Sequence, residues 1–277
     1  WVTWPALTKL GSLGVMVALL VLAGERADLL KIHMFDTENW NDKNADVACD
    51  ERSHTARKED GICNIVDNPM EGAANVNFGR NVHPDSVYAE NAAGTLLTPN
   101  PRDVSNLIMS RGEDFKPATT LNFIATSWIQ FMVHDWFDHG PRTDADPIEF
   151  PLPAGDVLGS GTMSVRRTQP DPSVSGNEAI VTYENTNTHW WDGSQLYGSN
   201  KAQNDAVRSF VDGKLKVDSD GRLPTEFISG KPITGFNENW WVGLSMLHHI
   251  FTAEHNAIAD MLKQNNPGAS DQWIYDH

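Results

Sequence analysis

The chain has 277 residues, a formal net charge of −16, 40% hydrophobic residues and 21% charged ones. This is a globular composition, long enough to bury a large core. The acidity argues against a nucleic-acid partner, which needs a basic footprint, and against purely electrostatic docking on anionic lipid. Trp1 at one end and Ile274-Tyr275-Asp276-His277 at the other carry no terminal signal, so residues 1–277 read as a single partial domain of a longer protein.

Residues 1–37 contain the apolar run Val15 to Ala23, shorter than the roughly 20 residues that span a bilayer. Three readings stay open. Glu25 to Lys31 continues the run with helical character, giving an N-terminal apolar helix. Val21 and Ala23 are small residues suited to a signal-peptide cleavage point. An apolar face over residues 10–32 also suits peripheral membrane contact. The last two readings favour a secreted or membrane-associated protein.

Cys49 and Cys63 flank a short loop and are either a disulfide, implying an oxidising compartment, or two free thiols. Residues 38–117, rich in Asn, Asp, Pro and Gly, read as long connections with short helices. One opens at Pro101, capped by Asn100. Ala118 to Phe137 is the first strong helix. Leu121, Phe123, Ile124, Trp128, Ile129, Phe131, Met132 and Val133 leave it almost no polar face, which places it in the centre of a large protein. Pro141 to Pro172 reads as loop. Lys201 to Val211 reads as an amphipathic helix capped by Ser199 or Asn200, and residues 214–234 as a small hairpin. Trp240 to Lys263 is the second strong helix, with Val242, Leu244, Met246, Leu247, Ile250, Phe251, Ile258 and Leu262 as its buried residues. The expected fold is mainly α, with little β and two central helices joined by long functional loops.

Two constellations carry chemistry. Gln130 and His134 lie four residues apart and share a helix face. A histidine in so apolar a helix is either satisfied by a core carbonyl or lines a cavity. With Gln130 one turn earlier, the pair offers a titratable base and a neutral donor, suited to handling a peroxide. Asp135 follows and points about 100° away from His134 on an α-helix. No third ligand and no His-Glu-x-x-His pattern supports a zinc hydrolase here. In Thr188-His189-Trp190-Trp191-Asp192-Gly193-Ser194, oxygens recur at every second residue. The hydroxyls of Thr188 and Ser194, the carbonyl of Trp190 and the carboxylates of Asp192 and Asp135 would make a calcium cage. The competing reading is an ordinary Asp-Gly turn.

Trp128 to Asp135 resembles the distal-histidine helix of animal-type haem peroxidases: a Gln, three residues, the distal His, then a calcium-binding Asp. Thr188-x-Trp190-x-Asp192-x-Ser194, followed by Tyr197-Gly198-Ser199, looks like that family's calcium loop. Glu254-His255-Asn256 is similar to the Glu-His-Asn element of its next core helix. Upstream, Glu59-Asp60-Gly61-Ile62-Cys63-Asn64 and Pro69-Met70-Glu71-Gly72-Ala73 look like its Asp-Gly-x-Cys-Asn and Pro-x-x-Gly-Ala segments. The likeness runs in order from about residue 45 to 277. It is nearest to the fatty-acid α-dioxygenases and their microbial relatives, through the Trp in the calcium loop, His134-Asp135-Trp136 and Asn239 to Ser245.

The resemblance implies a haem peroxidase-like helical domain, of which residues 38–277 are the N-terminal portion. It implies haem b and Ca2+ as cofactors, with His134 as distal base, Gln130 orienting peroxide, and Asp135, Thr188, Trp190, Asp192 and Ser194 on calcium. Val133, Asn237 and Trp240 stand where the mammalian secreted enzymes carry an ester-forming Asp, a catalytic Arg and an ester-forming Glu, so the haem is expected to be noncovalent. The family's proximal His and, in the dioxygenases, a radical-forming Tyr lie beyond the Glu-His-Asn helix, and no matching segment precedes His277. His248, His249 and His255 read as structural. Three functions follow: oxygenation of a fatty acid with peroxide or O2, peroxidation of small organic donors, or an inactive calcium-stabilised extracellular module.

Overall fold

The computed structural model describes residues 47–77, 94–140, 142–171 and 183–277, with Val17, Leu20 and Val21, which are helical and exposed. The remainder of the N-terminal segment, with the expected membrane contact over residues 10–32, lies outside the described residues. The chain separates into two compact units, Trp1–Thr37 with Gly79–Leu96 and Glu38–Phe78 with Leu97–His277. All the elements below belong to the second. No helix among the described residues is long and apolar enough to cross a membrane.

The elements run β1 (Val76–Asn77), α1 (Pro101–Met109), α2 (Phe123–His134), β2 (Arg142–Pro151), β3 (Thr162–Thr168), β4 (Glu184–Asn185), α3 (Ser194–Tyr197), α4 (Lys201–Val207), α5 (Val242–Asn265) and α6 (Asp271–Asp276). The class is mainly α, as the helical periodicity predicts. Asn122 caps α2 by accepting from the Ala125 amide, and Asn200, not Ser199, caps α4 by accepting from Gln203. In α2 the buried residues are Ser127, Phe131 and His134, one stripe at helical spacing. It faces the stripe Leu244, Leu247 and His248 of α5. Phe131, Leu196, Leu244 and Leu247 form the core there, and Phe251 stacks on Phe131 at a centroid distance of 5.1 Å. A second cluster, Met70, Ala73 and Val76, packs with Val47 and Ile62 beside the Cys49–Cys63 disulfide. The thiol alternative is thereby settled.

Three expectations need correction. Residues 142–168 are not loop: β2 and β3 pair antiparallel, with Ile148 opposite Val165 and Phe150 opposite Met163. Low strand propensity hid them, but cross-strand apolar pairs hold the ribbon and a register shift between Thr143 and Ile148 absorbs the Asp-Pro stretch. Isolated antiparallel bridges join Arg208 to Leu215 and, within residues 214–234, Thr225 to Pro232, a one-bridge version of the expected small hairpin. The first of these ends α4 at Val207, four residues short of the expected Val211. The third concerns coverage. Phe123, Ile124 and Ile129 on α2, and Val242 and Ile250 on α5, are exposed. Each helix is covered on one side only by the described residues.

Candidate functional site

His134 ends α2 and is 5% exposed. Its ring packs edge-on against Phe236 at 4.7 Å, its Nε2 lies 3.5 Å from Gln130 Nε2, and its Nδ1 is buried without a hydrogen-bond partner. Burial pushes its pKa down to about 4, against a weaker upward pull from Asp138. The ring is therefore neutral at pH 7, a base with a lone pair available. The bland reading, a core histidine bonded to a carbonyl, is absent among the described residues. Gln130 Oε1 accepts from Trp241 Nε1, and its Nε2, the atom that faces His134, also donates to the Asn239 carbonyl. A cavity of about 660 Å3 lies elsewhere, lined by Arg52, Tyr197, Phe251, His255 and Tyr275; neither His134 nor Gln130 borders it.

Asp135 turns away from the Gln130–His134 face. Its Oδ1 accepts from the amides of Gly193 and Ser194 at 2.7 and 2.8 Å. Four other oxygens converge on Thr188 Oγ1: both of Asp192 at 3.0 and 2.9 Å, the Trp190 carbonyl at 3.2 Å and Ser194 Oγ at 3.2 Å. Thr188 and Ser194 are fully buried. Burial raises Asp135 to about 6 with help from the charge of Asp192, and burial raises Asp192 as well. Hard oxygen donors, nearly touching around two carboxylates that penalise each other's charge, suit a calcium-sized cation. The described residues hold no cluster of three His, Cys, Asp or Glu side chains, so any such site draws on hydroxyl and carbonyl oxygens.

The upstream motifs form the floor of this loop. Gly72 has φ +70°, and a Cβ there would meet Trp190 Nε1 at 2.7 Å; at Gly61, φ +71°, it would meet Thr188 Cγ2 at 3.0 Å. The Gly72 carbonyl also accepts from the His189 amide. Sequence reasoning missed the clamp on the other side. Asn187 donates to the His134 carbonyl at 2.8 Å, and Asn185 accepts from the Asp138 amide and donates to the Trp136 carbonyl. Both asparagines are buried. Their one signal was a run of polar residues, Glu184 to Thr188, leading into the loop.

Residues 56–277 match the family model of the animal haem peroxidases. The chain belongs to the animal haem peroxidase family. It is 35% identical over 226 residues to alpha-dioxygenase PIOX of Oryza sativa, covering 82% of this chain and 35% of that protein. It is 36% identical over 220 residues to alpha-dioxygenase 2 of Arabidopsis thaliana, covering 79% and 33%. The chain thus spans about a third of the length of these curated relatives. Among solved structures, Oryza sativa fatty acid alpha-dioxygenase, in a variant with palmitic acid, superimposes with a TM-score of 0.75 at 31% identity, over 95% of this chain and 41% of that one.

Within this chain the Glu254-His255-Asn256 element is a clasp. His255 bonds Tyr197 Oη at 3.0 Å and the Gly213 carbonyl at 2.8 Å, while Asn256 holds both the amide and the carbonyl of Leu215. His248 is different: it is wholly buried, and both ring nitrogens lack partners. Burial pushes it down to about 3, and His189 down to about 4.

An acid-sensitive fold follows. His134, His189 and His248 take up protons near 6.5 when unfolded, but in the fold only near 4, 4 and 3. The unfolded state binds more protons across that window, so stability falls as pH drops through it. Asp135 acts oppositely. Its value of about 6 means that the fold binds the extra proton, and stability falls as pH rises between 3.8 and 6. Burial also lowers His255 and raises Asp192 and Asp60, but the free value of the histidines lies inside this window and that of the carboxyls below it, so the melting temperature of the full-length protein should fall from pH 7 to pH 5. A flat or rising profile would contradict the buried, neutral histidines.

Proposed function

We propose that this chain forms the distal side of a haem site in an enzyme that oxygenates fatty acids, as its alpha-dioxygenase relatives are named for doing. One observation carries it: a buried, neutral His134 whose Nε2 faces Gln130, one turn earlier on the same helix. Residues 38–277 are then the N-terminal part of the catalytic domain.

His134 and Gln130 suit the distal face of haem b: a base, an amide donor and the flat ring of Phe236 beside them. Haem, when bound, supplies the redox centre at which peroxide or O2 is activated. His134 takes a proton at Nε2 from incoming peroxide and returns it to the departing oxygen; Gln130 orients that peroxide or a water. Noncovalent attachment is supported by Val133, Asn237 and Trp240, none of which carries the carboxyl an ester to haem needs; Asn237 Nδ2 donates instead to the Pro232 carbonyl and Trp240 Nε1 to Ser245 Oγ. Calcium would be held by Asp135, Thr188, the Trp190 carbonyl, Asp192 and Ser194. Since Asp135 and His134 are adjacent, that ion would fix the end of α2 and with it the base. The disulfide favours an oxidising compartment, hence a secreted or membrane-associated protein.

The test is oxygen uptake by the full-length protein with palmitic acid, alongside haem content. Uptake dependent on both haem and the fatty acid is the expected result. Haem-dependent oxidation of a phenol by peroxide, with no uptake on palmitic acid, would replace the oxygenase by a peroxidase. Absence of haem would overturn both.

A further inference from the structure

We propose that Trp241 is a positioning residue: it fixes the amide of Gln130 and thereby the tautomer of His134, with Gly243 making room for its ring. The inference rests on the distal-site reading above and adds a residue to it.

Trp241 Nε1 lies 2.6 Å from Gln130 Oε1. An indole N–H only donates, so the atom facing it must be the amide oxygen, which removes the usual ambiguity of a glutamine side chain. Gln130 Nε2 is then turned to the other side, where it meets the Asn239 carbonyl at 3.1 Å and His134 Nε2 at 3.5 Å. An amide nitrogen offers hydrogens and no lone pair. His134 Nε2 must therefore face it as an acceptor, at the outer limit of hydrogen-bond distance, and the ring proton sits on Nδ1. The chain of donors runs one way, Trp241 to Gln130 to His134, and leaves the basic nitrogen on the side of Gln130.

A second observation concerns how the indole reaches that place. Trp241 is the N-cap residue of α5, with extended backbone, and its ring lies over the start of its own helix. A Cβ at Gly243 would collide with two carbons of that ring and with the Ser127 hydroxyl of α2. Any larger residue at 243 would expel the indole from the α2–α5 contact, where it also packs against the core. A tryptophan that only filled space would need no donor aligned at 2.6 Å on a residue of the candidate site.

Trp241→Phe keeps an aromatic ring at this place and removes the donor, together with part of the indole's volume. In the ferric full-length protein, cyanide association reports the distal base, because hydrogen cyanide must lose its proton to bind. Trp241→Phe should slow association about tenfold, the effect of one positioned hydrogen bond, with haem content unchanged and the melting temperature lowered only by the lost packing. Gln130→Ala should slow it at least as much, and the double variant should be no slower than Gln130→Ala. Multiplying effects, or a wild-type rate in Trp241→Phe, would overturn the proposal. A measurement on the wild type needs no variant: 15N shifts of histidine-labelled full-length protein, as purified or as its diamagnetic carbonyl complex, with His134→Ala for assignment. Nε2 of His134 should be unprotonated; a protonated Nε2 would overturn the proposal even if the variants fail to fold. Absence of haem from the wild type would instead overturn the functional reading, and the tautomer would still decide this one.

Discussion

His134→Ala in the full-length protein should leave the melting temperature near wild type and slow the peroxide-driven change of the haem absorption band by about 10²–10⁴-fold, the range of a positioned acid–base group. The stability half of that expectation comes from the burial pattern. His134 has an unpartnered Nδ1 and a pKa held down by desolvation, so its polar atoms are a cost to the fold. Its one strong bond to the rest of the protein, from Asn187, is made by the backbone carbonyl and survives the substitution. A purely structural histidine makes the opposite forecast, lost stability with normal rate per folded molecule. Both quantities measured on the same samples separate the two.

Asp192→Ala should lower the melting temperature and abolish its response to calcium. The carboxylate accepts from Thr188 and Ser194, both fully buried, so its loss removes the shortest bond of each hydroxyl and leaves them the Trp190 carbonyl and one another at 3.2 Å, a cost of about 1 kcal/mol per bond lost. Calcium at 100 times its dissociation constant would add about 2.7 kcal/mol to the wild type and nothing to the variant. Chelation of the wild type should therefore reproduce much of the variant's loss. A melting temperature indifferent to chelator would reduce residues 188–194 to a hydrogen-bonded turn.

The helical framework was legible because its signals are local: spacing on α2 and α5, and caps at Asn100 and Asn200; the cap at Asn122, which starts α2 five residues after the expected Ala118, was not read. The pairing of Asp135 with residues 188–194 was legible too, since a family pattern joins segments that lie far apart in sequence. What stayed hidden depends on partners the sequence does not mark. The β2–β3 ribbon is held by pairs across the turn, against local propensity. Asn185 and Asn187 look like loop residues until the end of α2 supplies their partners. Trp241 looked like part of an apolar helix start, and only the position of Gln130 gives its N–H a meaning. The exposed apolar faces of α2 and α5 show the converse. The sequence asks for coverage on all sides, and the described residues supply one side.

The central claim is that Gln130 and His134 face a haem. Anomalous diffraction at the iron edge from crystals of the haem-loaded full-length protein tests it most directly. The account predicts an iron peak beside His134 Nε2, on the Gln130 side of α2. An iron peak remote from that face of α2, in the cavity beside Tyr197 and Tyr275 for example, would contradict it.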